Sequence, residues 1–246
     1  MNSILPILAI IFVATLIRSI FGFGEGLFAV PLLAFCIPIA QAAPLVALLS
    51  VTIAAIVVVQ DWNKIHLHTT GWLVVPTFLG IPFGILLLSS RHPKAVQATL
   101  AIIIIGFSIY SLIGRNPPEL RTDNRAWMLI CGFIAGILGG AYGMNGPPLA
   151  IYGAMRRWSA QHFRATLQAY FLPASLAGAV GYWLAGLWTP TVTRYYLLSL
   201  PLTVAAILAG RAINRRLQGE AFVKYVYAGL FCVGAILLAQ SIAGKI

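Results

Sequence analysis

Apolar residues run along this chain in long stretches, interrupted only by short charged or turn-rich connections. The stretches fall near residues 4–36, 42–60, 71–90, 94–114, 126–155, 163–186, 193–211 and 221–242. A helix needs about 18 or more such residues to cross a hydrocarbon core of roughly 30 Å at 1.5 Å per residue. The pattern therefore predicts an all-α integral membrane protein with many spans. The first and fifth stretches are too long for one crossing, and each has a glycine cluster in its middle. The clusters are Gly22-Phe23-Gly24-Glu25-Gly26 and Gly139-Gly140-Ala141-Tyr142-Gly143-Met144-Asn145-Gly146-Pro147-Pro148. Each long stretch is expected to be a broken or re-entrant helical hairpin.

A shift of 117 residues lays one cluster on the other, with Gly22 on Gly139, Gly26 on Gly143, Pro31 on Pro148 and Leu32 on Leu149. Three more apolar helices follow each cluster. The chain thus reads as one transmembrane domain, 1–246, built of repeat one (1–114), a linker (115–125) and repeat two (126–246). Asn116-Pro117-Pro118 in the linker is a breaker sequence that fits a loop. If each long stretch is a hairpin, eleven basic residues gather on one membrane face (Lys64, Arg115, Arg121, Arg125, Arg156, Arg157, Arg164, Arg211, Arg215, Arg216 and Lys224) and four on the other (Arg91, Lys94, Arg194 and Lys245). Single crossings split them nine to six. The hairpin plan obeys the positive-inside tendency better and puts both termini outside. It also gives five segments per half, so the second copy enters from the opposite face and the repeats are inverted, as in many secondary transporters.

Composition narrows the chemistry. Charged residues make up 9% of the chain, against roughly 25% in soluble domains, and the mean hydropathy is +0.93. The net charge of +11 would suggest nucleic acid in a soluble chain. Here the basic residues lie in short connections, where they set orientation beside anionic lipid, so membrane lipid and not nucleic acid is the expected partner. Five acids, four histidines and three cysteines are too few and too dispersed for a metal cluster, a carboxylate dyad or a disulfide frame. His66-x-His68 lacks further ligands. Cys36, Cys131 and Cys232 read as small buried packing residues. No G-x-x-x-x-G-K-[ST] phosphate loop occurs, and no cofactor is implied. The start of the chain lacks the basic region and cleavage site of a signal peptide and reads as a retained first segment.

Non-helical backbone at membrane depth is tolerated only where protein or a water-filled cavity satisfies its polar groups. Two glycine tips facing one another therefore predict a cavity. Helices resuming near Leu27 and Leu149 would aim free N–H groups and their positive dipole ends at it, which favours a small anion. The glycines of both tips, Gly22, Gly24, Gly26, Gly139, Gly140 and Gly143, are the candidate backbone of that site; the alternative is that they serve only close helix packing. Arg18, one helical turn before Gly22, supplies a cation, unless it snorkels to an interface. Tyr142 and Asn145 offer neutral donors, and Arg164 and Gln168, four apart on a helix, could face the same way. Glu25 is the one acid within an apolar segment and the candidate for proton coupling; its alternative role is to pair with Arg18. An anion beside its carboxylate would favour protonation, and loss of that proton elsewhere would favour release.

The glycine tips followed by Pro31 and Pro148, the Gly80-Ile-Pro-Phe-Gly84 helix, the Ser90-Arg-His-Pro-Lys94 turn and its counterpart between Arg211 and Lys224 resemble the sulfite exporter TauE/SafE family over nearly the whole chain. That resemblance implies movement of sulfite, a sulfonate or another sulfur-containing organic anion across the bacterial inner membrane. It differs at the tips, where the family commonly resembles Gly-x-Gly-Gly-Gly and this chain has Glu25 and Tyr142 to Pro148. Competing readings are an intramembrane enzyme, such as a lipid-phosphate hydrolase using Glu25 as base, and a passive anion channel.

Overall fold

The computed structural model describes residues 4–61, 67–90, 92–113, 119–120, 124–158 and 160–214, with positions 235 and 238. The stretch at 221–242, Cys232, His66 and most of the linker lie outside the described residues. So do Lys64, Arg91, Arg115, Arg121, Arg215, Arg216, Lys224 and Lys245 of the charge count, and the side chain of Arg164.

Among the described residues every regular element is an α-helix: α1 (Ile4–Phe21), α2 (Glu25–Leu33), α3 (Ile39–Asp61), α4 (Leu67–Leu88), α5 (Pro93–Ile113), α6 (Arg125–Tyr142), α7 (Gly146–Met155), α8 (Ala160–Leu184) and α9 (Pro190–Asn214). Five of them, α1, α3, α4, α6 and α9, are long and apolar enough to cross a membrane. The outer surface is as apolar as the core. On α4, Val75, Leu79, Phe83 and Leu86 are all more than half exposed. A soluble monomer would not tolerate such a face, whereas lipid requires it. The chain is an all-α membrane protein.

Both over-long stretches are broken, as their glycines predict. At 9 and 10 residues, α2 and α7 reach about 14–15 Å, half of a bilayer core. The breaks are tighter than expected, because α2 resumes at Glu25 and α7 at Gly146, not near Leu27 and Leu149. Gly24 makes the first tight turn possible by taking a left-handed φ of 100° directly before α2. Gly143, at φ 64°, closes α6, donating its N–H to the Gly139 carbonyl. The two breaks are also spaced differently from the matched letters. From Phe21 to Tyr142, and from Glu25 to Gly146, the spacing is 121 residues, one helical turn more than the 117 that glycine and proline matching gave. Glycines recur at helical spacing within the second cluster, so matching letters could not fix which of them breaks the helix.

The tightest helix pair is α4 with α6. Gly80 and Gly84 on one helix face Gly132, Gly136 and Gly140 on the other, and a Cβ added at any of them would strike the backbone or a proline ring of the facing helix. The small-xxx-small device thus operates here. The buried Thr77 hydroxyl links the same pair, donating to Leu73 and Gly132 carbonyls, both at 2.8 Å. Elsewhere α1 packs on α9, and α3 on α8 and α9. Cys131 is buried as expected, but Cys36 is exposed, because α2 ends at Leu33 and the chain turns out of the core there. Asn124 caps α6, accepting from Ala126 N and Trp127 N.

Candidate functional site

The turns that precede α2 and α7 meet each other. A Cβ on Gly26 would collide with the Gly143 carbonyl and lie 2.9 Å from Met144 Cβ, and one on Gly146 would lie 3.3 Å from the Phe23 ring. Between them is a small cavity lined by Arg18, Glu25, Ser50, Asn145, Phe171 and the backbone of both tips. Its free space is about 20 Å³, enough for about one water molecule.

Arg18 organises this cavity. Its side chain is 3% exposed and that of Glu25 2%. Arg18 Nη1 donates to Glu25 Oε2 at 2.5 Å and to Ser50 Oγ at 2.5 Å, while Nη2 donates to Gln168 Oε1 at 3.1 Å. The guanidinium carbon stands 4.7 Å from the centre of the Phe171 ring, a cation–π placement. Gln168 also donates through Nε2 to the Gly22 carbonyl at 2.8 Å, and Ser175 Oγ donates to Ser50 Oγ at 2.9 Å. One side chain thereby ties α1, α2, α3 and α8 together. Two buried atoms of the pair have no partner, Arg18 Nε and Glu25 Oε1.

The two resuming helices offer unequal numbers of donors. No side chain caps α2, so the N–H groups of Glu25, Gly26 and Leu27 are not taken by the helix, and all three residues line the cavity. In α7 the second and third positions are Pro147 and Pro148, which have no N–H. Of the first three positions of α7 only Gly146 carries an N–H, so this helix end offers fewer donors than that of α2. Proline suits a helix start because its φ is preset, and here that preference removes two of the donors.

Of the residues singled out from the sequence, the cavity brings together Arg18, Gly24, Glu25, Gly26, Gly143 and Asn145. Gln168 and Gly22 stand immediately behind it, joined to each other and, through Gln168, to Arg18. Gly139, Gly140 and Tyr142 lie outside the lining. Gly139 sits under the Asn145 side chain and accepts from Tyr182 Oη at 2.7 Å, and Gly140 packs on α4. The Tyr142 hydroxyl donates to the Val96 carbonyl at 3.0 Å, toward α5. Sequence reasoning missed Ser50, Phe171 and Ser175. A serine within the mostly apolar Val46–Val59 run of α3 was the available signal, though Thr52 stands beside it; for Phe171 there was none among so many aromatic residues.

A family model described as sulfite exporter TauE/SafE matches residues 7–238. The chain belongs to that family. No curated protein and no solved structure matches it. As a TauE/SafE member it belongs among membrane transport proteins, and the match runs across both broken helices and the Arg18 cluster. Among the described residues, no three histidine, cysteine or acidic side chains gather as metal ligands would.

Proposed function

We propose that this TauE/SafE member is a secondary transporter that exports a small sulfur-containing anion, sulfite or a sulfonate, across the bacterial inner membrane, with a proton carried by Glu25. The observation that carries this reading is the cavity between the tips. It holds one cation, Arg18, beside three uncapped N–H groups of α2, which is a donor set for a small oxyanion. The half-length α2 and α7 support re-entrant hairpins and two inverted repeats, and the eleven-to-four split of basic residues in the sequence supports outward-facing termini. The free space of about 20 Å³ is too small for an anion of four or five heavy atoms, so taking one up requires the cavity lining to rearrange.

Flux into sealed vesicles containing the purified protein, measured for sulfite, methanesulfonate, chloride and phosphate with and without a pH gradient, tests the function. Saturable movement of sulfite or the sulfonate that responds to the gradient is expected. Movement of none of these anions overturns the reading, and non-saturating flux indifferent to the gradient favours a passive channel. The topology is tested by single cysteines near residues 38 and 158, which should be labelled from opposite membrane faces.

A further inference from the structure

The cavity lining holds two ionisable side chains, Arg18 and Glu25, and each is already engaged with the other. Glu25 is the first residue of α2, so its carboxylate stands at the positive end of that helix and on the guanidinium at once. Those are the surroundings that a substrate oxyanion would need. The carboxylate is itself an oxyanion, tethered by its own backbone, with Oε2 bound to Arg18 and Oε1 without a partner. The remaining space admits about one water and no second anion.

Charge gives the same answer as volume. Arg18 and Glu25 sum to zero in a buried site, which is the arrangement that low-dielectric surroundings tolerate. Adding an anion while Glu25 stays ionised would leave the site with a net negative charge. Other charged residues on elements packed against α1 and α2 are Asp61 at the end of α3, Lys94 at the start of α5, Arg156 and Arg157 just past α7, and Arg194 and Arg211 on α9; none is in the cavity lining. Tyr170 of α8 is engaged with Thr77.

We propose that Glu25 is a tethered occupant of the anion site, displaced from Arg18 one for one by a protonated-site exchange: a proton from water binds the Glu25 carboxylate, and a singly charged oxyanion takes its place on the guanidinium. The site is neutral before and after. The favoured ligand class is therefore a monoanion with at least two acceptor oxygens, such as a sulfonate or hydrogen sulfite, and a dianion is disfavoured because it leaves a net charge in the cavity. When the anion departs, the proton leaves Glu25 and the ion pair re-forms. This rests on the transport reading above and specifies its stoichiometry.

Titration calorimetry of the purified full chain with methanesulfonate, which stays singly charged throughout, tests the exchange from about pH 5 to about pH 8 in buffers of differing ionisation enthalpy. About one proton should be taken up per anion bound, and affinity should fall toward tenfold per pH unit at the alkaline end. Sulfate should bind about tenfold more weakly or worse. Glu25→Gln should bind methanesulfonate with no proton uptake and no pH dependence. Wild-type binding without proton uptake overturns the exchange while leaving anion transport standing. Failure of wild type and variant alike to bind methanesulfonate or sulfite overturns both. If Glu25→Gln does not fold, the proton count in the wild-type protein still decides.

Discussion

The two broken helices of this protein share a shape and differ in chemistry. In each, a long helix stops at a glycine turn and a helix of half the bilayer thickness follows. In the structural register, Arg18 of the first corresponds to Gly139 of the second, and Glu25 to Gly146. The first tip thus holds a buried ion pair and an uncapped helix start with three N–H groups. The second has glycine in place of both charges and prolines in place of two donors. The second tip supplies a wall with the carbonyl of Gly143 pressed against Gly26, and the first supplies the groups that can hold a charge. The lesson is that two helix breaks of one shape need not share their chemistry, because a glycine turn can be flanked by charges or by prolines alike.

The most severe way to break this asymmetry is to remove the charge from the first tip. Arg18→Ala strands the Glu25 carboxylate in the core, and loss of one partner from a buried pair costs about 3–5 kcal/mol. Thermal unfolding in detergent should show a large drop, and vesicle flux should vanish. A variant as stable and active as wild type would mean that the pair is incidental. Next in size is the contact between tips. Gly26→Val pushes Cβ into the Gly143 carbonyl and should cost up to about 3 kcal/mol as overpacking, read in the same unfolding assay. Gly143→Ala is smaller, about 1–2 kcal/mol, since it places a side chain at a left-handed φ with Ala43 O at 3.0 Å. The smallest effect sharpens the comparison. Pro148→Ala restores an N–H to α7, and if the second tip is only a wall, calorimetric affinity for methanesulfonate should change by less than about twofold, within a few tenths of a kcal/mol. A large gain would show that donors on this side reach the anion too.

Much of this arrangement was legible in the sequence, and the misses have physical causes. Length against bilayer thickness picked out both broken helices, and the isolation of Arg18 and Glu25 within apolar runs marked the pair that lines the cavity. Gln168 was found through its place on a helix with Arg164, and it does reach Arg18. Tyr142 was misplaced because proximity to a tip in sequence does not fix a direction: at the end of α6 its ring turns to α5. Gly139 and Gly140 were grouped with the tip although they belong to the last turn of α6, one against Asn145 and the other against α4. Partners across the fold, Ser50 and Phe171, become visible only once helices distant in sequence are brought together.

The contact of Gly26 with Gly143 has a bearing on speed. At most constrictions in proteins a side chain can turn aside, and rotamer changes take picoseconds to nanoseconds. Where the tips meet, the Gly143 carbonyl stands against Gly26, so turning a side chain aside does not separate them. Any passage between the tips must wait for whole helices to shift, and collective motions of that kind take microseconds to milliseconds. On the transport function proposed above, each event is then individually slow.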